Sequence, residues 1–321
     1  MKVSLITTVL NAGDRVEPFL RSVAWQTRPP DEVVVVDGGS TDRTLDVLRE
    51  AEGVTLLEEP GANIARGRNV AIAAATHDVI AVSDADCVLE PDWLEKLLEP
   101  LEAGADVSMG FYRPLAESFL QRCMACVNLP DADELDEATF MPSGRSVAYT
   151  REALERAGGY PEWLDIGEDM FVNHRFRELG LDMRLAAAAI ANWPLREGLA
   201  DTWRQYYRYA RGDAIAGMYP ERHALRLGVY SAGVYAWATR GWVRKLATLA
   251  GAGAYASTPL RRAAARFEDP PERARAMVAV PALMAFLDGA KLAGYMAGLT
   301  KRSGRSRNET WLLSNWDRPG A

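Results

Sequence analysis

The sequence predicts an α/β fold with a mostly parallel sheet sandwiched by helices, followed by a C-terminal α-helical region. Three observations carry that expectation. Short β-rich runs alternate with helically spaced apolar residues through the first hundred positions. One of those runs, Val33–Val36, is continuously β-branched, as a strand buried on both faces would be. Residues 225–300 are rich in Ala, Gly, Leu, Tyr and Trp, in apolar windows broken by charge.

The elements follow in order. Residues 3–9 read as the first strand and Asn11-Ala12-Gly13-Asp14 as its turn. Val16, Phe19, Leu20, Val23 and Ala24 recur at helical intervals over residues 16–26. The Val33–Val36 strand ends in Asp37-Gly38-Gly39-Ser40-Thr41-Asp42. Residues 43–51 read as a helix, 54–57 as a third strand and 63–75 as an Ala-rich helix. A fourth strand, Val79–Val82, runs into Ser83-Asp84-Ala85-Asp86.

In parallel sheets ligands sit beyond the carboxyl ends of the strands. Polar groups gather at three such ends: Thr8 with Asn11, then Asp37, then Asp84 with Asp86. Along an extended chain, positions i and i+2 share a side, so Asp84 and Asp86 can face one spot. Two hard oxygen ligands there suit a Mg²⁺ or Mn²⁺ that also holds a phosphate. A solvated acidic turn is the competing reading. Ser40 or Thr41 can cap a following helix, which explains the hydroxyls and glycines after Asp37. It does not explain an Asp closing a buried strand, where a carboxylate can accept from a base N–H or a ribose hydroxyl. No G-x-G-x-x-G or G-x-x-x-x-G-K run is present, so neither a dinucleotide fingerprint nor a P-loop is indicated.

Composition bounds the rest. The 321 residues are 48% hydrophobic and 25% charged, as in an ordinary globular protein. The net charge of −7 hides an asymmetry: residues 1–200 carry 18 Lys/Arg against 35 Asp/Glu, and residues 201–321 carry 19 against 9. An acidic region before a basic one fits metal chemistry beside an anionic surface. No nucleic-acid-binding signature accompanies the basic part, so no nucleic-acid partner is expected. Three cysteines give no disulfide framework, no signal peptide is indicated, and a cytoplasmic location is expected. The lone Cys123-Met124-Ala125-Cys126 run reads as core.

Through about residue 213 the chain resembles the family 2 glycosyltransferases of the GT-A fold. The match comprises Thr8 and Asn11 after the first strand, Val36-Asp37-Gly38-Gly39-Ser40-Thr41-Asp42, Ala65-Arg66-Gly67-Arg68-Asn69 and Ser83-Asp84-Ala85-Asp86-Cys87. Gly158-Gly159-Tyr160-Pro161 and Gly167-Glu168-Asp169-Met170 continue it in the family's order. The resemblance implies an inverting, metal-dependent enzyme, hexosyltransferase in type, that moves a sugar from a nucleotide-diphosphate sugar to a hydroxyl on a glycan, a lipid carrier or another envelope precursor. It implies that Asp37 contacts the base, Arg68 lies near the base or diphosphate, and Asp84 reaches the ribose or the metal's water shell. It further implies that Asp86 binds Mg²⁺ or Mn²⁺ directly, and that Asp169, beside Glu168, deprotonates the acceptor. Thr8 and Asn11 belong to the same donor site. Many GT-A enzymes add a late His ligand; Ala191-Asn192-Trp193-Pro194 has none. A nucleotidyltransferase of related fold is the alternative enzyme, although Leu10-Asn11-Ala12-Gly13-Asp14-Arg15 matches its opening loop poorly. A non-catalytic, membrane-associated scaffold is the other.

Arg204, Arg208 and Arg211 fall on one helix face among Trp203, Tyr206, Tyr207 and Tyr209. Gln205-x-x-Arg208-Tyr209 is similar to the Q-x-x-R-W motif of processive synthases, with Tyr for Trp. That likeness implies that Gln205, Arg208 and Tyr209 hold the acceptor and diphosphate. Downstream, apolar windows break at Arg240, Arg261 and Asp288, each short of the ~18–20 residues that cross a bilayer. These segments read as amphipathic helices at a membrane surface or an oligomer interface, with Arg240, Arg244, Lys245, Arg261 and Arg262 at the headgroups. The expected organisation is therefore a catalytic domain over 1–215, with nucleotide-sugar binding in 1–110 and acceptor and catalytic functions in 111–215. A helical region over 216–300 and a polar tail over 301–321 follow it.

Overall fold

The structure is a computed structural model that describes residues 1–239 and 241–301; Arg240 and the tail from 302 onward lie outside the described residues. The chain forms two compact units. Met1–Leu115 and Asp131–Pro194 make one; Ala116–Pro130 and residues 195–301 make the other.

The first unit is built on one sheet. Its strands are β1 (Val3–Val9), β2 (Glu32–Asp37), β3 (Val54–Glu58), β4 (Val79–Val82), β5 (Val88–Leu89), β6 (Val107–Leu115), β7 (Val147–Thr150) and β8 (Met183–Pro194). They lie in the order β3-β2-β1-β4-β7-β6-β8-β5. β1 to β4 are parallel to one another, as the strand–helix alternation predicts. β7 runs antiparallel to both β4 and β6, and β5 antiparallel to β8, while β6 and β8 are again parallel. Three helices, α1 (Val16–Ala24), α2 (Thr44–Glu50) and α3 (Ile64–Ala74), follow the first three strands; α4 (Trp93–Glu102) precedes β6.

Packing explains why these runs are strands. Val34, Val35 and Val36 are essentially inaccessible to solvent. Fully burying each aliphatic side chain contributes about 1.5–3 kcal/mol, and both faces of β2 are covered. Ile6, Val36, Ile72, Ile80, Val107, Tyr149 and Phe176 share one core cluster. Polar side chains close both ends of α3. Asn63 caps α3 by accepting from the Arg66 amide at 2.9 Å. Buried Arg151 donates to the carbonyls of Ile72, Ala75 and His77, closing the other end of α3. That arginine opens α6 (Arg151–Ala157).

The second unit consists of α5 (Phe119–Asn128), α8 (Leu199–Ala216), α9 (Pro220–Ala238), α10 (Trp242–Arg266) and α11 (Pro270–Leu299). Cys123, Met124 and Cys126 of α5 pack with Ala263, Phe267, Ala276, Val280 and Leu283. The C-x-x-C run is therefore core, and all three cysteines are free. α11 also differs from the sequence reading, which ended its apolar window at Asp288. It is one helix, long and apolar enough to cross a membrane by length and composition. Asp288 does not interrupt it because its charge is met within the unit. The carboxylate accepts from Arg226 Nε at 3.0 Å, Tyr230 OH at 3.1 Å and Tyr255 OH at 2.7 Å. One turn on, Lys291 donates to Asn128 at 3.2 Å and lies over the Tyr206 ring. Burial pushes the Lys291 ammonium down to about 8. His223, buried, meets Asp213 at 3.1 Å and stacks on Tyr295.

Candidate active site

The first unit gathers its polar side chains at the carboxyl end of the parallel strands. Asp37 closes β2 and is wholly buried. Its Oδ1 accepts from the amides of Gly39 at 2.8 Å and Ser40 at 2.7 Å, whereas buried Oδ2 has no hydrogen-bond partner. An acceptor held in that state suits a donor supplied by a ligand. Asn11 ties the β1 loop to the same turn. It adopts φ +51°, and its Oδ1 accepts from the Thr41 amide at 2.8 Å. Thr8 lies against α3, where a Cβ on Gly67 would come within 2.8 Å of its methyl.

Asp84 and Asp86 are not carried on extended chain. β4 stops at Val82, and a turn closed by Cys87 N–H to Asp84 C=O at 3.0 Å holds the pair. The reading based on strand alternation is corrected to that extent. Both carboxylates still lie near the Cys87 thiol, whose pKa burial raises first and the two acids raise further. Asp84 faces two guanidiniums: Arg68 Nη2 donates to Oδ1 at 3.0 Å, and Arg145 Nε lies 3.8 Å from Oδ2. Asp86 Oδ2 lies 3.9 Å from Arg15. Among the described residues, no group of three or more His, Cys, Asp or Glu side chains is arranged to hold a metal. Asp84 and Asp86 are nevertheless hard oxygen donors, and a divalent cation there fits if diphosphate and water complete its shell.

Arg68 is the centre of the arrangement. Only 3% exposed, it spans from Asp84 to Glu168, donating to Glu168 Oε1 at 2.7 Å. Burial opposes its charge, but Glu168 foremost, and Asp84 with it, raise its pKa above the ordinary value. Glu168 opens α7 (Glu168–Glu178) and is itself buried. Burial raises its pKa, and Asp169 adds to the rise, against the pull of Arg68. Asp169, next along, is half-buried. Its Oδ1 accepts from the Met170 amide at 2.8 Å and its Oδ2 from the Gly144 amide at 3.1 Å. The preceding turn explains the Gly-Gly pair: Gly158 and Gly159 have φ of +87° and +78°, a region costly for other residues. Tyr160, next, is anchored by Asn69 on α3, whose side chain accepts from its N–H and donates to its carbonyl.

The structure thus draws Arg68, Asp84, Glu168 and Asp169 together at one sheet end, with Asp37, Thr8 and Asn11 at the adjoining strand ends. Gln205, Arg208 and Tyr209 lie on α8, in the second unit, where Gln205 donates to the Tyr209 hydroxyl at 2.9 Å. Three residues gain weight that the sequence gives weakly or not at all. Arg145, in the Ser143-Gly144-Arg145-Ser146 loop, stacks 3.9 Å from the Trp193 ring centroid and 5.0 Å from that of Tyr112. Gly144 touches Arg68 so closely that a Cβ would lie 2.1 Å from Nη2. Arg15 faces Asp86. The small polar loop is the single sequence signal for the first two.

This is the architecture of GT-A glycosyltransferases. The solved mannosyltransferase PcManGT from Pyrobaculum calidifontis, in complex with GDP-Man and Mn²⁺, aligns with 91% of this chain and 87% of its own, with a TM-score of 0.56 and 24% identity. The model of glycosyl transferase family 2 matches residues 4–156, just under half of the chain. Among curated relatives, the O-antigen chain rhamnosyltransferase RfbN of Salmonella typhimurium is 28% identical over 205 residues, covering 59% of this chain and 65% of its own length. Glycosyltransferase AglE of Haloferax volcanii is 26% identical, covering 65% and 72%. The match thus spans just under two thirds of the rhamnosyltransferase.

Proposed function

We propose that this chain is an inverting glycosyltransferase, hexosyltransferase in type. It moves a sugar from a nucleotide-diphosphate sugar to a hydroxyl of a glycan, a lipid carrier or another envelope precursor. Arg68 carries the reading, since one buried guanidinium links Asp84 of the strand end to Glu168 beside the half-buried Asp169. Asp169 is the general base. Its two oxygens are positioned by the Met170 and Gly144 amides, and a positioned carboxylate can take the acceptor's proton. Glu168 supports it by holding Arg68. A single base suffices for direct displacement with inversion. Asp37 receives an N–H of the base on Oδ2, with Thr8 and Asn11 shaping that end, and Arg68 and Asp84 serve the donor's ribose and diphosphate.

Mg²⁺ or Mn²⁺, held by Asp86 with Asp84 assisting, would supply positive charge to the departing diphosphate. The Mn²⁺ bound by the solved mannosyltransferase favours that cofactor. Gln205, Arg208 and Tyr209 hold the acceptor or diphosphate. The envelope setting rests on the likeness to an O-antigen chain rhamnosyltransferase and a succinoglycan biosynthesis protein.

The enzyme works at the cytoplasmic face of a membrane. Between Glu221 and Glu268 no acidic residue occurs, while eight Lys/Arg do. Within that stretch Val234, Tyr235, Trp237, Trp242, Val243 and Leu246 are all more than half exposed. Arg244 and Lys245 lie over the Tyr235 and Trp237 rings. Cations among exposed indoles suit an anionic lipid surface.

Donor hydrolysis with Mn²⁺ tests the assignment. Asp169→Asn should lower turnover roughly 10²–10⁴-fold while nucleotide binding is retained. Asp86→Ala should remove the response to metal. Undiminished turnover in both variants would sink the site assignment, and wild-type protein that binds no nucleoside diphosphate would sink the enzyme reading.

A further inference from the structure

The structure assigns to Arg145 the binding of the donor's diphosphate, a role that rests on the nucleotide-sugar reading above. Three arginines reach the strand-end carboxylates, and they are held in different ways. Arg68 has one nitrogen committed to Glu168 and another to Asp84. The Arg15 side chain is 46% exposed and touches Asp86 only at 3.9 Å. Arg145 is fixed by its face: the guanidinium lies on the Trp193 indole with Tyr112 beside it, and its side chain is 14% exposed. Stacking occupies the plane of a guanidinium and leaves its N–H edge directed in-plane, the geometry that grips two oxygens of a phosphate.

The loop that carries Arg145 is built to hold it there. Gly144 donates to Asp169 and abuts Arg68. Ser146, on the other side, accepts from Trp93 Nε1 at 2.8 Å and donates to the Ala189 carbonyl at 3.0 Å. Ser143 accepts from the Arg145 amide and from Nη1, both at 3.2 Å. Arg145 therefore stands between Asp84, on the donor side, and the loop that orients Asp169. A diphosphate leaving group develops its charge in that interval, and a preoriented cation there stabilises it without reorganising.

The test is calorimetric binding in EDTA, so that no metal contributes. UDP, dTDP and GDP are compared with UMP, dTMP and GMP on wild type, Arg145→Ala, Arg145→Lys and Trp193→Phe. Loss of a charged hydrogen-bond pair predicts diphosphate affinity roughly 10- to 100-fold weaker in Arg145→Ala. Monophosphate affinity should change less than about twofold, since the base and ribose contacts remain. Arg145→Lys should recover little, because lysine has neither the fork nor the stack, and Trp193→Phe should retain most of the affinity because a ring still lies under the guanidinium. Unchanged diphosphate affinity in Arg145→Ala overturns the assignment. So does an equal loss for mono- and diphosphates, which would mark Arg145 as merely holding the loop. If the wild type binds none of the six in EDTA, the same comparison is made with Mn²⁺ in place of EDTA, with the same expected and overturning results; absence of binding there too fails the nucleotide-sugar reading, a result distinct from either of these.

Discussion

Gly144 gives the sharpest test of the buried ion pair. A Cβ added there would lie 2.1 Å from Arg68 Nη2, 2.7 Å from Cζ and 2.9 Å from Nη1. Contacts that short cannot persist, and Arg68 has nowhere to go without releasing a carboxylate. Nη2 is nearest, so the 3.0 Å bond to Asp84 breaks first, at a cost of about 1.5–3 kcal/mol for a charged hydrogen bond. If the whole guanidinium moves, buried Glu168 loses its partner too, and the cost rises to about 3–5 kcal/mol. Urea unfolding of Gly144→Ala should therefore show a loss of roughly 2–5 kcal/mol. Gly228→Ala, with nothing within 4 Å of the new Cβ in mid-α9, is the control and should gain up to about 1 kcal/mol. The decisive comparison is a double-mutant cycle with Arg68→Met, which removes the head group that the alanine strikes. In that background Gly144→Ala should cost far less. A loss below about 1 kcal/mol in the wild-type background, or the same loss in both backgrounds, would refute the argument that Arg68 is pinned.

Three further outcomes are expected. Glu168 has a folded pKa raised by burial above its ordinary 4.5, so the folded state favours its protonated form; stability should fall as pH rises from about 4.5 toward 7, and Glu168→Gln should flatten that limb of a melting-temperature profile. Lys291, lowered by burial from 10.5 to about 8, acts with the opposite sign: stability should climb between about pH 8 and 10.5, and Lys291→Met should raise the melting temperature at pH 7 and abolish the climb. Flotation with vesicles containing phosphatidylserine should recover wild-type protein, whereas Trp237→Ser with Trp242→Ser should leave it in solution; equal recovery of both would remove the membrane-surface reading.

What the sequence made legible follows a physical line. The Val33–Val36 run could be read because a strand covered on both faces must be apolar throughout, and the strand ends could be read because polar groups there have no packing reason. The Asp84–Asp86 pair was legible as two close carboxylates but not as geometry, since a one-residue spacing does not distinguish a strand from the turn that Cys87 closes. Asp288 misled for a related reason. A charge in an apolar window looks like a helix boundary until its partners, Arg226, Tyr230 and Tyr255, are seen on two other helices. Arg145 was nearly silent, because its meaning lies in Tyr112 and Trp193, aromatic residues distant along the chain that come under it only when β6 pairs with β8. Nor did any local signal join α5 to α8–α11, since a helix inserted after β6 carries no mark of which core will receive it.

The pairing of β6 with β8 has its own consequence. Its register jumps, so that Gly110 faces Ala186 but Phe111 faces Ile190, and residues 187–189 bulge out between them. The bulge is all alanine, yet its carbonyl at 189 receives Ser146 and its far side delivers Trp193. Substitution at exposed Ala188 should matter little, whereas Ala189 is wholly buried. Removing one residue would either slide Ile190–Pro194 by one place, turning Trp193 to the opposite face, or tighten the bulge away from Ser146. The seat of Arg145 is thus measured out by the length of chain in the bulge.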